Sequence, residues 1–184
     1  MLHRPRKEGL GPAYIAGFGR ALEGGAQFVL EMDADWSHDP ADIPRLVTAA
    51  SGGCDLALGS RYVAGGRVEG WSAGRRLISR AGCAYARSLL QLPVRDLTAG
   101  FKCFRADTLR AIAYGTAHAQ GYAFQVELTY RTLDVGGRVS ELPIVFRERR
   151  AGASKMTTRI AVEAVYMIPA LRVARARRRW LNRQ

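Results

Sequence analysis

The first half of the chain alternates between helical periodicity and short apolar runs. Apolar residues recur every three or four positions from Pro12 to Leu22, which predicts an amphipathic helix. Short apolar runs at Gln27–Met32 and Cys54–Leu58 predict buried strands. Between them, Asp39 is placed to cap a helix that begins near Pro40. Two strands joined by a helix predict a parallel pair.

The second half continues the same alternation after a long connection. Residues 63–74 are rich in glycine and charge, which is typical of a binding or lid loop. Ala73–Leu90 has helical periodicity, and its apolar stripe is predicted to face the core. That stripe comprises Leu77, Ile78, Ala81, Ala84, Tyr85 and Leu89. Further predicted elements are a strand at Phe101–Arg105, helices at Asp107–Ala113 and Phe124–Val135, and an edge strand at Arg138–Phe146 interrupted by Pro143. The fold class is therefore α/β.

The C-terminal segment combines apolar periodicity with positive charge. Thr157–Arg175 is predicted to form an amphipathic helix that Pro169 kinks, and a membrane surface is its natural partner. The basic run that follows consists of Arg175, Arg177, Arg178, Arg179 and Arg183. Over the whole chain, 28 Lys and Arg against 16 Asp and Glu give a net charge of +12. This excess predicts an anionic partner but does not choose between nucleic acid, a phosphorylated small molecule and an acidic membrane.

Other patterns narrow the class of protein. Cys54, Cys83 and Cys103 are widely spaced, which argues against a zinc site or a disulfide framework and favours a reducing, cytoplasmic setting. No apolar run reaches the roughly 18 to 20 residues of a membrane span, and the N-terminus lacks the apolar segment of a signal peptide. Membrane contact is therefore predicted to be peripheral. The basic tail contains only Trp180 as an aromatic residue, which disfavours a nucleic-acid module.

Two carboxylates stand where the first predicted strand ends. Asp33 and Asp35 follow the run that ends at Met32, so both can lie at the carboxyl edge of the sheet, where such folds bind ligands. Oxygen ligands without histidine or thiolate suit Mg²⁺ or Mn²⁺. The alternative is that these acids only cap the next helix.

Several cations follow predicted strands or open predicted helices, in positions where each can hold a phosphate oxygen. They are Arg61, Arg75, Arg76, Arg149 and Lys155. Taken singly, each is equally explained as a solvated surface charge. Trp71, in the glycine-rich loop, is a candidate for stacking on a sugar or for packing on its own loop.

Six stretches, in this order, resemble the signatures of polyprenol-phosphate (dolichyl-phosphate) mannose synthases of the actinobacterial type, which are inverting family 2 glycosyltransferases. They are Lys7–Tyr14, Met32–His38, Gly59–Tyr62, Asp96–Phe101, Gly121–Gln125 and Gly152–Met156. The resemblance implies a GT-A fold with a mixed, mostly parallel sheet. It also implies metal-dependent transfer of mannose from GDP-mannose to a polyprenyl monophosphate at the inner face of the plasma membrane, and a membrane protein is a further expected partner.

The same resemblance assigns roles position by position. Asp33 and Asp35 match the ligands of Mg²⁺ or Mn²⁺ and of the donor diphosphate, and Arg61 and Arg75 match cations that bind substrate phosphate. The remaining substrate-binding matches are Arg149 and Lys155 near a closing loop, and Gln125 and Glu127 on a helix near the acceptor. A phosphate monoester is largely dianionic at pH 7, so it can attack without a base. His38 is accordingly expected to position or cap rather than to catalyse.

The chain departs from the family at its start. Members begin with strands that carry Pro-Thr-Tyr-Asn-Glu and Asp-Asp-Gly-Ser, and neither sequence occurs here. The expected organisation is a catalytic domain over residues 1–156 without its N-terminal nucleotide-binding strands, and an arginine-rich tail over 157–184. Two alternatives stay open: a related lipid-phosphate glycosyltransferase that uses another sugar nucleotide, and an inactive, basic, membrane-associated fragment.

Overall fold

A computed structural model describes residues 2–6, 8–117, 119, 121–148 and 166–173. The α-helices are α1 (Leu10–Glu23), α2 (Ile43–Ser51), α3 (Ala73–Leu90), α4 (Ala106–Ala111) and α5 (Gly121–Asp134). The strands are β1 (Phe28–Glu31), β2 (Leu56–Ser60), β3 (Arg67–Glu69), β4 (Lys102–Arg105), β5 (Val139–Pro143) and β6 (Val145–Arg147). Short 3-10 turns occupy Pro40–Asp42 and Tyr114–Thr116. The helices and strands predicted between Pro12 and Val135 are confirmed in type and order, with ends that shift by up to three residues, and β3 is an additional strand.

The main sheet has four strands in the order β1-β4-β2-β5. β4 is antiparallel to both β1 and β2, whereas β2 and β5 are parallel. Three of the four strands therefore share one direction, which confirms a mixed, mostly parallel sheet. The predicted pairing of β1 with β2 is wrong, because β4 lies between them. Lys102, Cys103 and Phe104 of β4 are all buried, as a central strand requires, but a short apolar run carries no information about its neighbours.

A second, two-stranded sheet joins the long loop to the segment that follows β5. β3, inside the predicted 63–74 loop, pairs in parallel with β6. The single strand predicted at Arg138–Phe146 is instead two strands in two sheets. The chain leaves the edge strand β5 at Pro143, and the Ile144 N–H donates to the Ser60 carbonyl while the Ile144 carbonyl accepts from Arg67. The predicted interruption and edge position are confirmed.

Helices cover both faces of the main sheet. Leu56 of β2 packs in a cluster with Phe18 of α1 and Phe124 of α5. The neighbouring Ala57 packs on the opposite face, in a cluster with Leu46 of α2. Successive strand residues point to opposite faces, so a strand covered on both sides must be apolar at every position. This explains the continuous apolar run that predicted β2.

α3 has the predicted bounds but not the predicted orientation. Its buried positions are Cys83, Ala86 and Leu90. The stripe predicted to be core is largely exposed, with Leu77 at 69% and Ile78 at 61% of their free surface. Tyr85, Ala81 and Ala84 are also exposed, and only Leu89 packs partly against the core. The helix has apolar residues on two faces, and periodicity alone does not show which of them is buried.

Residues 166–173 form a helical segment that packs on the core. Ile168 is buried in the cluster that contains Leu90. The Leu171 carbonyl accepts from the Tyr130 hydroxyl at 3.3 Å, and Arg172 donates to the Leu89 carbonyl at 2.6 Å. The rest of the predicted Thr157–Arg175 helix and the basic run beyond it lie outside the described residues. Within the described ranges no helix is long and apolar enough to cross a membrane.

Two glycines provide a test of backbone packing. A Cβ atom on Gly66 would lie 2.5 Å from the Ser60 carbonyl oxygen, which forces the backbone to move. We expect Gly66→Ala to lower the free energy of unfolding by about 2 kcal/mol or more. Gly17 of α1 is exposed and nothing lies within 4 Å of its added Cβ, so Gly17→Ala is the matched control. It should raise stability by about 0.5–1 kcal/mol. Urea unfolding compares the two; equal effects would contradict the close approach at Gly66.

Candidate active site

A cleft opens where one edge of the main sheet meets the β3–β6 sheet. Asp33 lies two residues beyond the end of β1, and Arg61 directly follows β2. Because β4 is antiparallel, its first residue Lys102 is paired with Glu31 and Leu58 at this same edge. The loop before β4, with Thr98 and Gly100, therefore lines the cleft together with Asp33, Arg61 and Arg75.

The acidic loop after β1 is held by hydrogen bonds from its own backbone N–H groups to side chains of the same loop. The Ser37 N–H donates to Asp35 Oδ1 at 3.1 Å, and Trp36 adopts the left-handed conformation with φ of 66°. The Asp33 N–H donates to His38 Nδ1 at 3.3 Å. Asp33 lines the cleft, and its carboxylate lies 3.8 Å from where a Cβ on Gly100 would stand. A glycine at position 100 thus keeps the space in front of this carboxylate open.

His38 is a buried, neutral support for that loop. Burial, followed by the positive charge of Arg61, lowers its pKa from 6.5 to about 4. Its ring packs against Phe101 and Phe146, with ring centroids 5.0 and 5.2 Å apart. Neutral Nδ1 accepts from Asp33, so His38 is suited to positioning, as the sequence favoured.

Arg61 is bound to a buried acid beside the cleft. Its Nε and Nη2 donate to the two oxygens of Asp96 at 2.7 and 2.6 Å, and its backbone N–H donates to the same carboxylate at 2.9 Å. Nη2 also donates to Thr98 at 2.8 Å. Arg61 and Asp96 are 5% and 0% exposed. These bonds leave Nη1 as the guanidinium nitrogen outside the pair, so the role of Arg61 toward phosphate stays a prediction.

Arg75 and Trp71 also line the cleft. The Arg75 guanidinium carbon lies 4.1 Å from the centre of the Trp71 ring, and Nη1 pairs with Glu148 at 2.6 Å. Trp71 also packs edge-on against Phe146, with ring centroids 5.3 Å apart. The indole therefore packs on its own surroundings as well as lining the cleft. Arg75 retains partial exposure, which leaves it able to reach an anionic ligand.

Sequence reasoning missed a buried polar network beneath the cleft. Lys102 Nζ donates to the side-chain oxygen of Gln125 at 2.7 Å and to its carbonyl at 2.8 Å. The Gln125 amide nitrogen then lies 3.9 Å from the Cβ position of Gly100, at the cleft. Glu31 is 3.7 Å from Lys102, and burial raises the pKa of Glu31 and lowers that of Lys102. The available signal was a lysine within an apolar strand.

Glu127 lies two residues beyond Gln125, about half a turn further along α5, and has a different environment. Its Oε2 accepts from the Ala119 N–H at 3.0 Å, and its Oε1 pairs with Arg131 at 2.7 Å. Both oxygens thus hold neighbouring backbone and side chain together, and the predicted contact with acceptor stays untested. Arg149 and Lys155 lie outside the described residues. Arg76 is exposed on α3.

The residues at the acidic loop suit a divalent cation held jointly with substrate. In the described part of the chain, no three His, Cys, Asp or Glu side chains form a cluster that could enclose a metal ion. Asp33 and Asp35 supply oxygen donors at one edge of the sheet, and hard cations such as Mg²⁺ commonly take one or two carboxylates and complete their shell with phosphates and water. The donor set therefore fits a shared site rather than a cage.

The chain thus has an α/β fold with a cleft at one edge of its main sheet that is lined by Asp33, Arg61 and Arg75. The sequence matches the profile of "Glycosyl transferase family 2" over residues 1–113, and the chain belongs to this family. It is 50% identical over 165 residues to the "Undecaprenyl-phosphate mannosyltransferase" of Micrococcus luteus, covering 90% of this chain and 68% of the relative. It is 42% identical over 168 residues to the "Polyprenol monophosphomannose synthase" of Mycolicibacterium smegmatis, covering 91% and 63%.

Solved structures of the same architecture confirm the GT-A-like fold. Glucosyl-3-phosphoglycerate synthase from Mycobacterium tuberculosis, in complex with phosphoglyceric acid, superimposes with a TM-score of 0.66 at 17% identity. That match covers 91% of this chain and 56% of the other. The same synthase with Mn²⁺, UDP-glucose and phosphoglyceric acid gives 0.62 at 18% identity, covering 90% and 56%. This chain thus spans little more than half of those structures, and about two thirds of the two sequence relatives.

The Arg61–Asp96 pair predicts a large stability effect. Asp96→Asn removes the negative charge opposite a guanidinium that is 5% exposed, so we expect a loss of about 3–5 kcal/mol in the free energy of unfolding. Asp107→Asn is the control, because Asp107 pairs with Arg110 on the surface of α4. That variant should change stability by no more than about 0.5 kcal/mol. Denaturant titration measures both, and similar small losses would mean that the buried pair is not structural.

Proposed function

We propose that this chain is the catalytic part of an enzyme that transfers mannose, with inversion, from GDP-mannose to a polyprenyl monophosphate. The observation that carries the proposal is the cleft, which Asp33, Arg61 and Arg75 all line. The sugar and the acceptor in this proposal rest on the relatives at 50% and 42% identity, whose names are "Undecaprenyl-phosphate mannosyltransferase" and "Polyprenol monophosphomannose synthase". Because the chain spans about two thirds of those relatives, activity of this chain by itself is part of the proposal.

The chemistry requires two anions to approach each other. The acceptor phosphate is already largely dianionic at pH 7 and attacks the anomeric carbon without losing a proton to the protein. The neutral His38, whose Nδ1 already accepts from Asp33, is therefore not needed as a base. Catalysis then consists of holding acceptor and donor in line and compensating their charge.

In this proposal the arginines bind phosphate and the carboxylates bind the metal ion. Arg75 and Arg61, which both line the cleft, would bind phosphate oxygens, Arg61 through the Nη1 that Asp96 does not engage. Asp33 and Asp35 would hold Mg²⁺ or Mn²⁺, which supplies positive charge to the departing diphosphate. Gln125, fixed by Lys102, presents its amide nitrogen to substrate. Glu127 acts near the acceptor by holding Arg131 and the backbone of Ala119. Arg149 and Lys155, which follow β6 in sequence, would also bind substrate phosphate.

Substrate location sets the cellular site of the reaction. The donor is water-soluble and the acceptor is anchored in a bilayer, so the enzyme must work at a membrane surface. We place it at the cytoplasmic face of the plasma membrane, with the basic C-terminal run contacting anionic lipid and a membrane protein as a further partner.

The metal role predicts a loss of donor-nucleotide binding. Asp35→Ala and Asp33→Asn each remove an oxygen donor, so the Mn²⁺-dependent part of GDP binding should weaken by at least about 10-fold. Isothermal titration with and without MnCl₂ measures this difference. Asp107→Ala, which removes an exposed acid on α4, is the matched control and should bind as the unaltered chain does. Unchanged Mn²⁺-dependent affinity in both loop variants would remove the carboxylates from the metal site.

The transfer reaction itself tests donor and acceptor together. Incubation with radiolabelled GDP-mannose, Mn²⁺ and a short polyprenyl phosphate should give labelled mannolipid, and Arg75→Gln should lower the rate by at least about 100-fold because an arginine that neutralises transferring phosphate is removed. Labelled lipid from UDP-glucose but not from GDP-mannose would favour the related transferase that uses another sugar nucleotide. No labelled lipid from either donor would favour the inactive fragment.

A further inference from the structure

Arg75 of the cleft is paired with an acid near the protein surface. Its Nη1 donates to Oε1 of Glu148 at 2.6 Å, which forms an ion pair between α3 and the residue that follows β6. The side chains of Arg75 and Glu148 keep 26% and 45% of their free surface. Because Arg75 also lines the cleft, a ligand that enters the cleft meets this pair.

The other arginine of the cleft has an ion pair of a different kind. Asp96 is 0% exposed and accepts three hydrogen bonds from Arg61, so separating them would leave two buried charges without compensation. A partly exposed pair is held much more weakly, because water replaces much of what each partner loses. Of these two pairs, the one between Arg75 and Glu148 is therefore the one that an incoming anion can exchange.

The guanidinium of Arg75 has a second support that does not depend on Glu148. Its central carbon lies 4.1 Å from the centre of the Trp71 ring, and that ring packs edge-on against Phe146. Stacking on an indole stabilises the guanidinium through its face and leaves the N–H groups at its edge available to an anion. Arg75 therefore does not need Glu148 in order to stay at the cleft.

The backbone of Glu148 is fixed close to this arginine. Its N–H donates to the Glu69 carbonyl of β3 at 3.1 Å. A Cβ atom on the neighbouring Gly70 would lie 2.8 Å from the Glu148 Cβ, so the two segments are in close contact. Glu148 can thus release Arg75 by rotating its side chain between rotamers. The carboxylate then remains tethered beside the guanidinium, at a high effective concentration.

We propose that Glu148 is an intramolecular competitor for Arg75, which a substrate phosphate must displace. Carboxylate and phosphate both bind arginine through charge-assisted hydrogen bonds, and a phosphate with nearly two negative charges is the stronger partner. The tethered carboxylate lowers the affinity of the cleft for phosphate ligands by the fraction of time that it occupies Arg75, and it takes the guanidinium back when a ligand leaves. This inference rests on the phosphate-binding role of Arg75 in the proposed function.

Binding of inorganic diphosphate to the whole chain, without metal, sugar or lipid, tests the competition separately from catalysis. Glu148→Gln keeps the shape of the side chain and removes its charge, so diphosphate affinity in isothermal titration should rise roughly 3-fold to 5-fold. Arg75→Gln should lower that affinity by at least about 10-fold, because charge-assisted hydrogen bonds are lost. The double variant Arg75→Gln/Glu148→Gln should bind as weakly as Arg75→Gln, since no guanidinium is left to compete for.

Glu69→Gln is the matched control, because it removes the same charge from the neighbouring strand β3. Glu69 pairs with Arg67 and Arg147, and its side chain is 43% exposed against 45% for Glu148. At physiological salt the charge of a residue that does not contact the ligand-binding arginine is largely screened. Diphosphate affinity in Glu69→Gln should therefore stay within about 1.5-fold of that of the unaltered chain.

Three other outcomes would overturn the inference. An equal rise in Glu148→Gln and Glu69→Gln would assign the effect to net charge. A fall or no change in Glu148→Gln would show that the carboxylate anchors Arg75 or does not compete with the ligand. Unchanged diphosphate binding in Arg75→Gln would remove Arg75 from phosphate binding, in the proposed function as well. The expected rise in Glu148→Gln without any mannose transfer would instead leave the competition established while the proposed function fails.

Discussion

The buried pair of Arg61 and Asp96 is the interaction on which the cleft depends. It joins the end of β2 to the loop before β4 through three hydrogen bonds to one carboxylate. Burying either charge alone is costly, so each residue fixes the position of the other. The loop that continues to Gly100 is thereby held opposite Asp33, and the same arginine lies near His38 and Trp71. One ion pair thus connects the sheet edge, the acidic loop and the β3–β6 sheet.

The arginine and lysine side chains of the chain have different roles, depending on how deeply each is buried. Arg61 and Lys102 are buried and serve inside the fold, where a carboxylate or an amide oxygen compensates them. Arg75 is half-buried, packs on Trp71 and lines the cleft. Arg80, Arg87 and Arg95 are exposed around a separate cavity. A net charge of +12 describes all of these equally, so composition points to an anionic partner without saying which arginines meet it.

Sequence patterns predicted elements well where one physical cause dominates. α3 begins and ends where predicted because Ser72 caps its first turn and Gln91 ends it in the left-handed conformation. The same pattern failed on orientation, since small residues such as Ala86 pack into the core while larger ones lie outside. Of the candidate site, Asp33, Arg61, Arg75 and Gln125 line one cleft, whereas the oxygens of Glu127 are bonded to Ala119 and Arg131. The partners Asp96 and Lys102 are distant in sequence from the side chains they hold, and no local pattern reveals them.

The sequence by itself determined the local structure, the order of elements, the family and the chemical types at the site, because periodicity, capping and ordered signatures are properties of short stretches. Only the tertiary structure decided the strand order, the split of the predicted final strand into two sheets, the buried partners of Arg61 and Gln125, and the exposed face of α3. These depend on contacts between residues far apart in the chain, such as Ile144 with Ser60 and Arg67. Their energy comes from joint burial and charge compensation, which exist only once the elements have packed together.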